Sequence, residues 1–392
     1  MRRQAQALHE AGWRVSVAGL RGRQLAPDYW RRIEIAFIGA GIGLRHAIWS
    51  AVNKYLSRFS QAAAERAYWS AVNFEGMYEH LAHVDPGDYD LVLCHDWITV
   101  PLAARLAAEL DVPFSIDVHE YARGQYMTHG PRRWRDRPWC HALQKRYFPR
   151  AGGLTTICDG IADLLQGDYA LAERPTVVRS FAQRQQLPLR ETGERIIVLY
   201  HGLLAPTRGL ERGIASAPLW RPEFHLVIRG GGDAAYVAGL REHVERAGAS
   251  DRVTIEDPVP ASEMIERANA DADIGFHMLP PTTINHRLAL PNKFFEYVTA
   301  GLALCVADLP EMARFVSEHE LGMLVPDASP ETIAAAINSL DRAAIDRYKR
   351  NSLEAAKVLD WNLEKQIMLR QYDRLVPARE ASRGLLTSGV PG

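Results

Sequence analysis

Arg229-Gly230-Gly231-Gly232-Asp233 stands between a short apolar run, Phe224–Ile228, and a stretch with helical periodicity. Glycines in such a turn let backbone N–H groups come close to a phosphate, and the helix start adds a favourable dipole. A plain strand-to-helix turn would use the same residues. His201-Gly202 ends another strand-like run, and Arg208-Gly209 begins six residues after Gly202. A guanidinium there can grip a diphosphate through paired hydrogen bonds, or can be a solvated loop arginine. In open α/β sheets ligands sit beyond the carboxyl ends of strands, so two glycine turns on one edge reinforce each other.

Pro291-Asn292-Lys293-Phe294-Phe295-Glu296-Tyr297 reads as a helix start, with Pro291 suited to the first turn. Lys293 and Glu296 are spaced i, i+3 and share one face, so a surface salt bridge between them is the plain alternative to a binding role. In the first half, a buried-type run Pro113–Val118 ends at His119-Glu120, and Asp90–Cys94 ends at His95-Asp96-Trp97. The stretch 131–150 is basic, carrying Arg132, Arg133, Arg135, Arg137, Lys145, Arg146 and Arg150, with Trp134, Trp139, Tyr147 and Phe148 interleaved. Such a mixture suits an anionic membrane surface or a lipid-diphosphate acceptor, and equally a solvated basic loop.

The elements that must hold these residues alternate strand with helix, which is the pattern of an α/β fold with parallel sheets. The length of 392 residues makes two domains the expectation. A polar segment at 183–194 reads as the linker between a first domain, 1–182, and a second, 195–360. The periodicity predicts a helix over 343–375, with 361–377 long enough to serve as a C-terminal helix crossing back to the first domain, and a disordered tail over 378–392. An open α/β domain normally begins with a strand feeding its first helix, yet helical residues follow Met1 directly. A central strand and its loop are therefore expected to be absent from the first sheet.

Forty-six basic residues balance 47 acidic ones, a poor profile for a protein that grips nucleic acid. Cys94, Cys140, Cys158 and Cys305 show no C-x-x-C spacing, so neither a disulfide framework nor a zinc site is indicated. With no long apolar run, the expectation is a cytoplasmic protein.

Pro-Asn-Lys-Phe-Phe-Glu-Tyr at 291–297, with Ala300-Gly301 and Asp308-Leu309-Pro310-Glu311, resembles the donor-site segment of family-4 glycosyltransferases. Gly202, Arg208-Gly209 and Gly230–Gly232 are similar to that family's nucleotide-phosphate loops, and His119-Glu120-Tyr121 to its H-E element. The resemblance implies a GT-B fold, two Rossmann-like domains facing across a cleft, and retaining transfer from a nucleoside-diphosphate sugar to a saccharide or lipid-linked acceptor. It implies ribose recognition by Glu296 and leaving-group stabilisation by Arg208. By the same resemblance Gly231, Gly232, Asn292, Lys293 and Asn285 belong to the donor pocket, and His119 contacts the transferred sugar. No metal or cofactor is expected beyond the co-substrate, and Arg132, Arg133, Trp134 and Arg135 are the expected acceptor or peripheral-membrane contact.

The chain departs from the family in two residues. Leu288 stands eight positions before Glu296, where a second glutamate is common, and Leu203 stands where an arginine follows the first glycine. The latter leaves Arg208, with Arg229 or Lys293, to hold the diphosphate. A GT-B sugar-nucleotide epimerase and a non-catalytic sugar-nucleotide-binding protein are the alternatives.

Overall fold

The computed structural model describes residues 2–20, 30–35, 60–72, 87–125, 137–376 and 384–388, with single positions at 48, 77, 78 and 81. The chain divides into two compact units, Met1–Arg179 with Lys365–Gly392, and Ser180–Glu364.

The first unit is built on a parallel sheet of β1 (Arg14–Leu20), β2 (Trp30–Ile35), β3 (Tyr89–His95), β4 (Phe114–Val118), β5 (Gly153–Thr156) and β6 (Thr176–Val177). The second carries β7 (Ile196–His201), β8 (Phe224–Arg229), β9 (Val253–Glu256), β10 (Ile274–His277), β11 (Ala303–Ala307) and β12 (Gly322–Val325). Its spatial order, β12-β11-β10-β7-β8-β9, reverses direction between β7 and β10. The crevice outside the carboxyl ends of those two strands is where such folds hold ligands. Ile196, Val198 and Tyr200 alternate into a fully buried core with Phe224, Leu226, Ile228, Ile274 and Phe276, which fixes the register of the central strands.

Three expectations are corrected. The tail is not wholly irregular: Gly384–Ser388 forms β13. That strand pairs in parallel with both β1 and β3, so the slot expected to stand open in the first sheet is filled. The long helix is two helices, Arg342–Ala355 and Trp361–Leu375. Asp360 interrupts it, its carboxylate accepting from the Arg184 N–H and from the Asn362 amide while its carbonyl accepts from Leu363; such local bonds compete with helical ones.

Residues 183–194 carry no helix or strand and are tied to the second unit by Arg190 on Asp273 and Thr192 on Asp346. The end of helix Trp361–Leu375 belongs to the first unit, where Gln371 accepts from Thr176 and Lys365 pairs with Glu10. Among the described residues no helix is long and apolar enough to cross a membrane.

Candidate functional site

The second unit assembles its site from the ends of β7, β8 and β10. Past their last residues the turns after β7 and β8 stay interlocked: Gly202 N–H donates to the Arg229 carbonyl at 3.0 Å, and Leu204 N–H to the Gly231 carbonyl at 2.9 Å. A Cβ on Gly230 would lie 1.8 Å from the Gly202 carbonyl oxygen, and one on Gly232 2.1 Å from that of Leu204. Those two glycines are therefore demanded by backbone packing alone. Gly231 has only Pro258 nearby, at 3.5 Å, and remains the member of the triplet with free space beside it. On the other side, the loop after β7 meets the loop after β10 where Gly209, at φ +76°, faces the Met278 carbonyl.

Helix Asn292–Thr299 is docked over this edge by its buried face. Phe294 and Phe295 are fully buried, and the Tyr297 ring fills the space that glycine leaves at Gly275. The Tyr297 hydroxyl accepts from the His201 N–H at 3.0 Å and donates to the Phe276 carbonyl. So anchored, the helix swings its first turns onto the end of β7. Lys293 Nζ lies 3.7 Å above the Tyr200 ring, beside Gly202, a cation–π contact. Glu296 Oε2 lies 3.0 Å from His201 Nε2. The plain Lys293–Glu296 salt bridge is thus not made.

Neither Lys293 nor Arg208 has a carboxylate within ion-pair distance among the described residues. Burial and the Arg208 guanidinium lower the Lys293 ammonium to about 7, against the weaker pull of Glu296. His277, wholly buried at the end of β10, has no hydrogen-bond partner for either ring nitrogen among the described residues. Burial, then Lys293 and Arg208, hold it uncharged at neutral pH. The edge thus offers two cations without counter-ions, an arrangement suited to an anion.

Arg229 requires a correction. It is 3% exposed and donates to Glu256 at 2.7 Å and to Asp271 at 2.7 Å. A guanidinium doubly committed to carboxylates inside the fold is not available to a phosphate.

In the first unit, β4 places Ser115 and Asp117 on one side by its two-residue period, and His119 follows just past its end. The parallel register sets His95, Asp117 and Thr155 in one transverse row across β3, β4 and β5. Asp117 is the hub of that row. Its Oδ1 accepts from Thr155 Oγ1 at 2.7 Å, and its Oδ2 from Gln4 Nε2 and His119 Nε2, each at 2.7 Å. His95 Nδ1 lies 3.3 Å from the same oxygen. Histidine and carboxylate atoms converging within 4.8 Å could hold a metal ion, but these carboxylate lone pairs are already engaged by protein donors. Burial would push the Asp117 carboxyl up, yet the two histidines, His119 foremost, hold it well below the usual range.

Arg132, Arg133, Trp134 and Arg135 lie outside the described residues. The adjoining Arg146, Tyr147 and Arg150 line a groove of about 690 Å³ together with Arg66, Trp69 and Arg105. Arg105 stacks 3.9 Å over the Tyr78 ring, and Arg146 pairs with Glu65 at 2.8 Å.

Residues 1–181 match the family described as Glycosyl transferase 4-like domain, and residues 195–342 the family Glycosyl transferases group 1. The chain is a family-4-like GT-B glycosyltransferase. A curated relative, the D-inositol 3-phosphate glycosyltransferase of Jonesia denitrificans, is 24% identical over 341 residues, covering 79% of this chain and 77% of that one. Among solved structures, Anabaena HepE in complex with UDP has a TM-score of 0.64 at 14% identity, covering 92% of this chain and all of that one. WaaG, a glycosyltransferase involved in lipopolysaccharide biosynthesis, has a TM-score of 0.61 at 14% identity, covering 96% and 95%.

Within this glycosyltransferase, Gly202, Arg208, Lys293 and Glu296 come together at the β7 edge. Asn292 is exposed at the start of its helix, and Asn285 sits on the short helix Ile284–Arg287 in the loop after β10. His277 and the Asp117 hub escaped the sequence reading. The alternation Ser115-x-Asp117-x-His119 was the available signal for the latter; nothing local singles out His277.

Proposed function

We propose that the enzyme transfers a sugar, with retention, from a nucleoside-diphosphate sugar to a saccharide or lipid-linked acceptor. The observation that carries the donor half is the pair Arg208 and Lys293, two cations without counter-ions beside the Gly202 turn. A diphosphate seated there gains charge-assisted hydrogen bonds from both, and these strengthen as charge builds on the leaving group. Glu296, one turn along the same helix face, is the acceptor for ribose hydroxyls. The uridine base is favoured by likeness to HepE, which is described with UDP and with UDP-glucose. Arg208 and Lys293 supply the neutralising charge in this reading, with no metal required. His119 is assigned the transferred sugar on family resemblance, as is a place in cell-envelope or exopolysaccharide assembly. The basic, aromatic groove of the first unit supports a peripheral contact with an anionic membrane at the cytoplasmic face.

Thermal shift of the purified chain against UDP, GDP, dTDP and ADP, with and without EDTA, tests the donor site. At a hundredfold excess over Kd a bound nucleotide adds about 2.7 kcal/mol. The expected outcome is one nucleotide, UDP foremost, raising Tm equally with and without EDTA, and losing that effect in Glu296→Ala. No shift with any nucleotide, or an unaltered shift in Glu296→Ala, removes the assignment.

A further inference from the structure

We infer that Asp117 is the positioning residue for His119: it takes the ring by Nε2, leaving the Nδ1 edge as the one that can donate to a ligand oxygen. The inference rests on the functional reading above only for the identity of that ligand.

Three neighbouring strands place His95, Asp117 and Thr155 in one row, so the carboxylate is fixed from both sides before His119 is considered. Thr155 engages Oδ1 at 2.7 Å, while Gln4 reaches Oδ2 from helix Arg2–Glu10 at 2.7 Å. A buried carboxylate with this many donors stays ionised and immobile. His119 Nε2 then approaches the same Oδ2 at 2.7 Å.

The backbone is fixed as tightly. The His119 N–H donates to Asp96 Oδ1 at 3.0 Å, and Asp96 itself, at φ +56°, donates its N–H to the Asp117 carbonyl at 2.8 Å. The ring therefore has one defined orientation. With Nε2 consumed, only Nδ1 remains, 3.9 Å from Asp96 Oδ2 and on a side chain 41% exposed. That distance is too long for a hydrogen bond, so the Nδ1 proton is available.

Charge follows from the same contacts. Burial opposes the cation, and the Asp117 carboxylate, aided by Asp96, overrides it and holds His119 up to about 9. His95, on the other side of Asp117, is kept neutral mainly by burial. Among the described residues the titratable groups facing this cluster are Cys94 and His95 on β3, Asp96 after it, Asp117 on β4, and Tyr372 from helix Trp361–Leu375, while the charge of the amino terminus lowers both histidines. Cys94 and Tyr372 are pushed up by burial and stay protonated throughout the working range.

The test is a histidine NMR titration of the full chain, His119 being assigned by its loss in His119→Gln, together with the pH profile of UDP-glucose turnover. In the wild type the His119 midpoint is expected near 9. In Asp117→Asn it falls back toward the ordinary imidazole range, and the alkaline limb of kcat/KM moves down with it. Thr155→Val, which keeps the carboxylate and removes one brace, shifts the midpoint in the same direction by less. A wild-type midpoint near 6.5 overturns the inference without recourse to any variant. So does an unmoved midpoint or an unmoved limb in a folded Asp117→Asn protein. Absence of wild-type UDP-glucose turnover with a responsive midpoint removes UDP-glucose as the donor and leaves the positioning role standing.

Discussion

The two units hold cations at their sheet edges by opposite means. In the second unit Lys293 and Arg208 stand together with no carboxylate within ion-pair distance among the described residues, and the lysine is lowered to about 7. In the first unit His119 is braced against Asp117 and raised to about 9. Burial lowers the lysine and the carboxylate raises the histidine, so two side chains of ordinarily well-separated pKa are drawn towards each other. Compensation, not residue type, decides which group carries charge. An uncompensated pair gains most when an anion arrives. A compensated cation is ready beforehand and changes little on binding.

The largest effect should come from breaking the geometry that presents the uncompensated pair. A Cβ on Gly230 meets the Gly202 carbonyl at 1.8 Å, and neither backbone can retreat without parting β7 from β8. Gly230→Ala is expected to cost about 3 kcal/mol or more of the second unit's stability. Gly231→Ala, facing only Pro258 at 3.5 Å, should cost under about 1 kcal/mol. Urea unfolding of both variants reads the contrast directly. Equal losses would mean that the triplet is held together by something other than this close approach.

Next in size is the pH dependence of nucleotide binding. A diphosphate beside Lys293 favours the charged form, so binding above pH 7 requires uptake of a proton. UDP affinity should then fall between pH 7 and 9 by up to about tenfold per unit, since one unit corresponds to about 1.4 kcal/mol. Lys293→Met should bind more weakly and lose that slope. Calorimetry in buffers of different ionisation enthalpy detects the proton directly. A wild-type slope of zero would show that the lysine is already charged in the free enzyme.

The same contrast explains what the sequence disclosed. The donor edge is local: Gly202, Arg208 and the helix from Asn292 occupy consecutive loops of one sheet, and their spacing is visible along the chain. Even there, Arg229 misled, because its partners Glu256 and Asp271 come from elements up to 42 residues away. Gly230 and Gly232 were read for phosphate approach, whereas the neighbouring turn demands them outright. The His119 hub is non-local, joining Gln4 to Asp117 across 113 positions. Alternation along β4 marks which side each residue faces, but only the pairing of β3, β4 and β5 makes His95, Asp117 and Thr155 neighbours. Gly384–Ser388 lay further still from any local signal, since its place is set by two strands more than 280 residues earlier.

The smallest effect is the most discriminating, because the two edges should respond to pH with opposite sign. The folded His119 value lies above the ordinary 6.5, so the folded state holds the extra proton between 6.5 and about 9. Its contribution is complete below 6.5 and is lost as pH rises through 9. The folded Lys293 value lies below 10.5, so between about 7 and 10.5 it is the unfolded chain that holds the extra proton. The cost of burying that ammonium is therefore complete below 7 and is relieved as pH rises. Relative to wild type, His119→Gln should be least stable near pH 6 and approach it toward pH 9. Lys293→Met should be more stable than wild type near pH 6, by roughly 1 kcal/mol after solvent screening, and lose that advantage toward pH 9. Melting curves of the three proteins at pH 6, 7.5 and 9 would show the two differences converging from opposite sides. Parallel differences, constant with pH, would mean that neither edge controls its cation in the way the contacts require.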